Sequence, residues 1–167
     1  MWSKIEKKVF EVEAFIIVVS LVAMFIAVVI QVIVRAIGMN SIGTTEVGML
    51  AMSILTFIGT SAIIYTKDHI TIELEQLIKS ERLVYWMKLI TTIIMVIFGL
   101  IFISVTYTFF LFTLESGEKT IELGIPVAIA AGSMVIGTSL LIFHSISDFM
   151  NLIQNNKSKN SVKKGGK

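Results

Sequence analysis

The chain has 167 residues, of which 55% are hydrophobic and 16% charged, with one proline, no cysteine and a formal net charge of +2. Soluble domains carry about 25% charged residues, so this chain has too few to cover a globular surface. The 26 charged residues are also placed unevenly: residues 14–34, 47–66, 89–114 and 123–147 contain none, which confines all the charge to the other 75 residues. The pattern excludes a soluble enzyme, a disordered tail protein and a disulfide scaffold. It predicts an all-α polytopic membrane protein with four transmembrane helices, since a hydrocarbon core of about 30 Å takes about 20 helical residues to cross.

The first span is expected at about residues 14–35. Lys4, Lys7 and Lys8 precede it, as basic residues precede a signal peptide's apolar core. The run is too long for such a core and ends at Arg35 without a small-residue cleavage site, so it reads as an uncleaved span. Gln31, near its end, is read as a hydrogen-bond partner for another helix and not as a substrate ligand. The next segment, with Gly38, Asn40, Ser41 and Gly43, is a short turn. Thr44 or Thr45 can cap the second helix, about residues 46–66, and Glu46 then sits in its first turn, where the helix dipole favours an acid.

The segment after the second span has a different periodicity. Ile70, Leu74, Leu77 and Ile78 share one helical face, and Thr71, Glu73, Glu75, Gln76 and Lys79 take the other. The spacing predicts an amphipathic helix over about residues 69–79 lying on the membrane surface, too short and too charged to cross it. Ser80 is positioned to cap a new helix that runs into the third span, about residues 83–114. A short acidic loop follows, with Gly117 as its breaker. Pro126 then fits the first turn of the fourth span, about residues 123–147. Residues 1–153 thus form one membrane domain, and the polar, basic residues 154–167 lack an apolar face and are expected to be disordered.

Orientation follows from Lys and Arg. Twelve of the 14 lie in the first segment, the 67–88 region and the tail; only Arg35 and Lys119 lie in the other two loops. Both termini and the middle loop are therefore expected to be cytoplasmic. Trp2, Tyr65, Tyr85 and Trp86 lie near that same face, as an aromatic belt would. The basic residues are accounted for by topology and anionic lipid, so they imply membrane lipids and no nucleic acid as partners.

The search for chemistry returns little. No Asp, Glu, Lys or Arg lies inside the four apolar stretches, although ion-coupled carriers keep ionisable groups there. Without cysteine there is no thiol relay or cysteine-held cluster, and no phosphate-binding loop or nucleophile triad is present. No catalytic residue, metal site or cofactor is expected. His69 and His144 both fall near the cytoplasmic face; they could serve as axial haem ligands or, more plainly, as an interfacial and a packed histidine. Small residues recur at helical spacing: Gly48, Ala51, Gly59 and Ala62 in the second span, and Ala128/Gly132 and Ser133/Gly137 in the fourth. Such faces let helices approach closely in lipid, either within this chain or against a partner.

Two elements carry a family resemblance. One is Glu46-Val47-Gly48, then Phe57-Ile58-Gly59-Thr60-Ser61-Ala62, then Lys67-Asp68-His69-Ile70-Thr71-Ile72-Glu73; the other is Leu123-Gly124-Ile125-Pro126 with Gly132 and Gly137 downstream. Together they resemble the small membrane subunit of the tripartite ATP-independent periplasmic (TRAP) transporters, over about residues 10 to 150. An aromatic residue often precedes the family's glutamate, where Thr44 and Thr45 stand here. The resemblance implies a non-catalytic subunit of the bacterial inner membrane. Its partners would be a large multi-span membrane subunit, which carries the substrate and sodium sites, and a periplasmic substrate-binding protein. The implied cargo is an organic acid of the sialic acid or C4-dicarboxylate type. Arg35, Glu46, Glu115, Glu118 and Glu122 would face the periplasm, where the binding protein docks, though each also reads as a cap or a solvated loop charge. The competing class is an autonomous four-helix membrane protein, either a small exporter or a redox subunit using His69 and His144.

Overall fold

The computed structural model describes residues 2–39, 43–66 and 80–165. They form four helices: α1 (Trp2–Ala36), α2 (Thr44–Thr66), α3 (Glu81–Ser116) and α4 (Ala128–Gly165). Each contains a segment long and apolar enough to cross a membrane. Among the described residues the only extended pairing is a single bridge between Lys119 and Pro126. The chain is an all-α, multi-pass membrane protein, as the charge pattern requires.

Helix ends depart from the expected spans in instructive ways. α1 begins at Trp2, well ahead of the apolar run, because residues 2–13 contain no glycine or proline to stop it. Lys7 and Glu11, 3.9 Å apart at i and i+4, support that first segment. Ser80 precedes α3 in an extended conformation, at the expected cap position, but its hydroxyl makes no capping bond. α4 begins at Ala128, not at residue 123, because residues 117–127 close on themselves. Thr120 N–H donates to the Ile125 carbonyl (2.9 Å) and Val127 N–H to the Glu118 carbonyl (3.0 Å). Pro126 therefore stands just ahead of the helix, where its carbonyl accepts the Ile129 N–H (3.1 Å). Helical backbone continues past residue 154 to Gly165. The expected surface helix, with Ile70, Leu74, Leu77 and Ile78, lies outside the described residues.

The helices pack as an open row, in the order α1, α2, α4, α3, and not as a closed bundle. The two end helices each bury a single seam. On α1 the buried positions Glu6, Glu13, Ser20 and Ala27 recur every seventh residue. On α3 the seam is Thr92, Gly99, Thr106 and Thr113, at the same period. A seven-residue repeat keeps one face of a helix on its neighbour along its whole length. The large apolar residues point the other way: Phe15, Phe25 and Val32 on α1, and Ile94, Ile101 and Val105 on α3, are all exposed. That is the reverse of a soluble bundle. Lipid tails are as apolar as leucine, so apolar side chains gain little by burial, whereas small and polar ones gain close packing and hydrogen bonds.

The centre of the row is the tightest contact. A Cβ at Gly137 of α4 would lie 2.6 Å from the Phe57 carbonyl carbon and oxygen of α2, so only glycine permits this approach. Beside it the Ser53 and Ser133 hydroxyls hydrogen-bond at 3.1 Å. Gly99 of α3 makes the equivalent contact with α4, where a Cβ would meet Ile142 Cγ1 at 2.7 Å.

Candidate functional site

The start of α1 lies at one end of the row, where α4 also leaves it, called here the terminal end; the turn after α1 and the 117–127 loop lie at the far end. At the far end Glu46 reaches away from its own helix. Its two carboxylate oxygens accept the backbone N–H groups of Glu122 (2.7 Å) and Leu123 (2.9 Å). In return the Glu122 carboxylate accepts the N–H of Gly43, the residue before α2. Gly43 adopts a positive φ of 76°, and the Leu123 side chain packs so closely on it that a Cβ would collide. The two far-end segments are thereby stapled in both directions. Gln31 of α1 adds a third tie, donating its side-chain amide to Thr45 Oγ1 at 2.9 Å.

The docking candidates therefore divide. Glu46 is buried, and its carboxylate is occupied by the loop it organises. Glu122 is exposed as a residue but its carboxylate is tied to Gly43. Arg35, Glu115 and Glu118 are exposed. The same stapled loop presents Ile121, which is 99% exposed.

The small residues divide as well. Gly48 faces Ala27 of α1, with 3.9 Å from a built Cβ to the alanine methyl; Ala51 and Ala62 are buried. Gly132 faces the Phe110 ring of α3, and Gly137 abuts Phe57. These five serve contacts within the chain. Gly59 alone of the six opens onto empty space.

At the terminal end, three helices meet in a buried polar cluster. Glu13 of α1 and His144 of α4 are each 1% exposed. His144 Nε2 lies 3.3 Å from Glu13 Oε1, and the Ser61 hydroxyl of α2 donates to the same oxygen at 2.9 Å. A carboxylate can only accept, so Nε2 carries the hydrogen. On the other side of the ring, Nδ1 is 3.7 Å from Glu6 Oε1, an ion-pair distance without a hydrogen bond. Tyr65 of α2 stacks on Phe10 of α1 and tilts against the His144 ring at 5.5 Å. One turn further on, Asp148 Oδ2 accepts a weaker bond from Thr92 Oγ1 of α3 at 3.4 Å. Counting about 1.5 Å per residue from the far helix ends, Glu13, Ser61 and His144 lie about 24–35 Å deep, at the edge of a hydrocarbon core about 30 Å thick, and Glu6 lies two turns beyond Glu13.

His144 is thus enclosed with each ring nitrogen turned to a carboxylate, which leaves no nitrogen directed at an open site. The other histidine of the haem reading, His69, lies outside the described residues. Among the described residues no group of three or more His, Cys, Asp or Glu is arranged to hold a metal ion.

A family model for the DctQ component of tripartite ATP-independent periplasmic transporters matches residues 24–155. The chain belongs to the DctQ family. It is accordingly a small membrane component of a TRAP transporter, a multi-pass protein of an assembly that also has a large membrane subunit and a periplasmic binding protein. A search of curated proteins found no match.

In this DctQ chain the two sequence elements that carried the resemblance touch each other: Glu46 of the first holds the Leu123 N–H of the second. The first element also supplies Ser61 to the buried cluster. Sequence reasoning missed Glu13 and Glu6. Glu13 stands one residue before a charge-free run, where composition does not separate it from a solvated charge, yet it is among the most enclosed of the described side chains. The available signal was the seven-residue spacing Glu6, Glu13, Ser20, Ala27, which places both acids on the one buried face of α1.

Proposed function

We propose that this DctQ chain is the bracing subunit of a sodium-coupled TRAP transporter: it steadies the static part of a large elevator-type membrane subunit and helps to dock the periplasmic binding protein during uptake of an organic acid. The observation that carries the reading is the family match over residues 24–155. The open row supports it: α1 and α3 bury one narrow seam each and leave broad apolar faces that a larger membrane partner or lipid can cover. The ionisable side chains of the buried cluster sit near one end of the spans, facing one another, and do not line a path across them.

In this reading the chain lies in the bacterial inner membrane with both termini cytoplasmic, as the distribution of basic residues favours. The far end then faces the periplasm. Arg35, Glu115, Glu118 and Glu122 are the candidate contacts for the binding protein, and Glu46 acts indirectly by holding the loop that presents Glu118 and Glu122. The cargo class, sialic acid or a C4-dicarboxylate, rests on family resemblance alone.

The test is reconstitution in liposomes under an inward sodium gradient. The chain alone should move no substrate; the chain with the large subunit and loaded binding protein should. Sodium-driven uptake by the lone chain would overturn the accessory role. A second measurement addresses the segment expected to lie on the membrane surface. Replacing Leu74 and Leu77 with aspartate should reduce transport while substrate capture by the soluble protein stays intact, because two charges would lift that segment from the lipid interface.

A further inference from the structure

We propose that Glu13, His144 and Glu6 form a proton-sensitive lock, which holds the first turns of α1 against α4 when the His144 imidazole is protonated and releases them when it is neutral. The geometry is an imidazole between two carboxylates of another helix. Nε2 donates to Glu13 Oε1 at 3.3 Å, and Nδ1 faces Glu6 Oε1 at 3.7 Å. An imidazolium has an N–H on each nitrogen and attracts both carboxylates; a neutral imidazole bonded to Glu13 turns a lone pair toward Glu6. In the neutral state the cluster would hold two anions that face no cation among the described residues, in a place with little water. Glu13 cannot leave without dismantling the α1–α2–α4 junction, since Ser61 also bonds it. Glu6 can, because its side chain is already 12% exposed at the rim and sits in the second turn of its helix. Release therefore frees the start of α1 and spares its middle.

Other groups around the ring do not supply this response. From α2 the ionisable neighbour is Tyr65, which meets His144 through its ring, alongside the Ser61 hydroxyl. On α4 itself Asp148 turns to Thr92 of α3. On α1, Lys7, Lys8 and Glu11 lie on the exposed side, with Lys7 and Glu11 paired together. Ile5 and Val12 both point outward, and the apolar anchor of this segment, Phe10 stacked on Tyr65 of α2, lies one turn beyond Glu6 and can stay in place when Glu6 leaves.

The chain has no cysteine, so two introduced thiols are the only ones to label. Spin labels at Ile5→Cys and Met150→Cys, both exposed positions, report the separation of α1 and α4 in the full chain in lipid nanodiscs. Between about pH 5 and about pH 8, where histidine commonly changes charge, the distance distribution should gain a longer population several-fold larger than at the acid end. His144→Gln should abolish the response to pH. Glu6→Gln should keep the short distance at both ends of the range, because an amide can accept from N–H or donate to a bare nitrogen. A distribution unchanged by pH in the unaltered pair overturns the lock. So does a pH response that survives in His144→Gln, or one in Glu6→Gln equal to that of the unaltered pair.

Discussion

Glu46 and Glu122 hold each other's backbones: the Glu46 carboxylate takes the Glu122 N–H at 2.7 Å, while the Glu122 carboxylate takes the N–H of Gly43, three residues before Glu46. Each acid thus organises the segment that carries the other. An acid in the first turn of a helix ordinarily serves its own helix end; here α2 gives up that use, and the N–H groups of a neighbouring loop are satisfied instead.

Because the two ties are reciprocal, their loss should be strongly non-additive. Glu46→Ala frees two loop N–H groups at once and should expose the 117–127 loop to proteolysis. Glu122→Ala frees one and should have the smaller effect. The double variant should be little worse than Glu46→Ala alone, since the second tie depends on a loop the first has already released. Protease cleavage rates of the three variants in detergent measure this. Rates that multiply independently would mean the two ties are separate.

The architecture was legible at the level of spans and opaque at the level of seams. Charge-free runs reveal four crossings because desolvating a charge in lipid is costly enough to show in composition. Gln31 read correctly as an interhelical donor because an amide at that depth has few other uses. Glu13 did not, since an acid at the boundary of an apolar run has the same composition signature whether it faces water or a neighbouring helix. Pro126 carries a related ambiguity: a proline that suits a helix's first turn also suits the loop before it, and here the bridge to Lys119 holds it in the loop. The reciprocal staple was invisible because its partners are backbone groups, to which sequence assigns no identity.

Gly137 and Gly59 make a controlled pair of glycines on adjacent helices. Gly137→Ala places a methyl 2.6 Å from the Phe57 carbonyl, and backbone cannot yield as a side-chain tip can. Overpacking of this kind costs about 1–3 kcal/mol, and unfolding by SDS titration should show it. Gly59→Ala meets no atom within 4 Å and should change the isolated chain by no more than about 1 kcal/mol. If the open face of α2 seats the large subunit, Gly59→Leu should weaken co-purification of the two membrane subunits while leaving the isolated chain folded. Equal destabilisation by both alanine variants would contradict the packing order of α2 and α4.

The tie from Gln31 to Thr45 is a weaker matter. It joins neutral groups, and Thr45 is exposed. Interhelical hydrogen bonds of this type average about 0.6 kcal/mol in membranes, because the separated helices find other partners. Gln31→Ala should therefore shift unfolding by no more than about 1 kcal/mol. A loss beyond about 2 kcal/mol would show that the far end depends on α1 more than its seam suggests.

Glu13 and His144 should behave quite differently, and the size of their coupling identifies what kind of contact they make. If the pair were an ordinary polar contact, a double-mutant cycle with Glu13→Ala and His144→Ala would return no more than about 1.7 kcal/mol, the upper end for such bonds in membranes. For an enclosed ion pair, removing either partner strands the other without compensation, at a cost of about 3–5 kcal/mol for each single change. The second removal then costs little, so the coupling approaches the whole of the first loss. Full enclosure of both side chains and the shared acceptor Oε1 favour the larger figure. Unfolding midpoints of the four proteins in one detergent at a fixed pH near 6 supply the cycle. Coupling above about 2 kcal/mol is the expected result, and a value under about 1 kcal/mol would reduce the junction to packing with an incidental hydrogen bond.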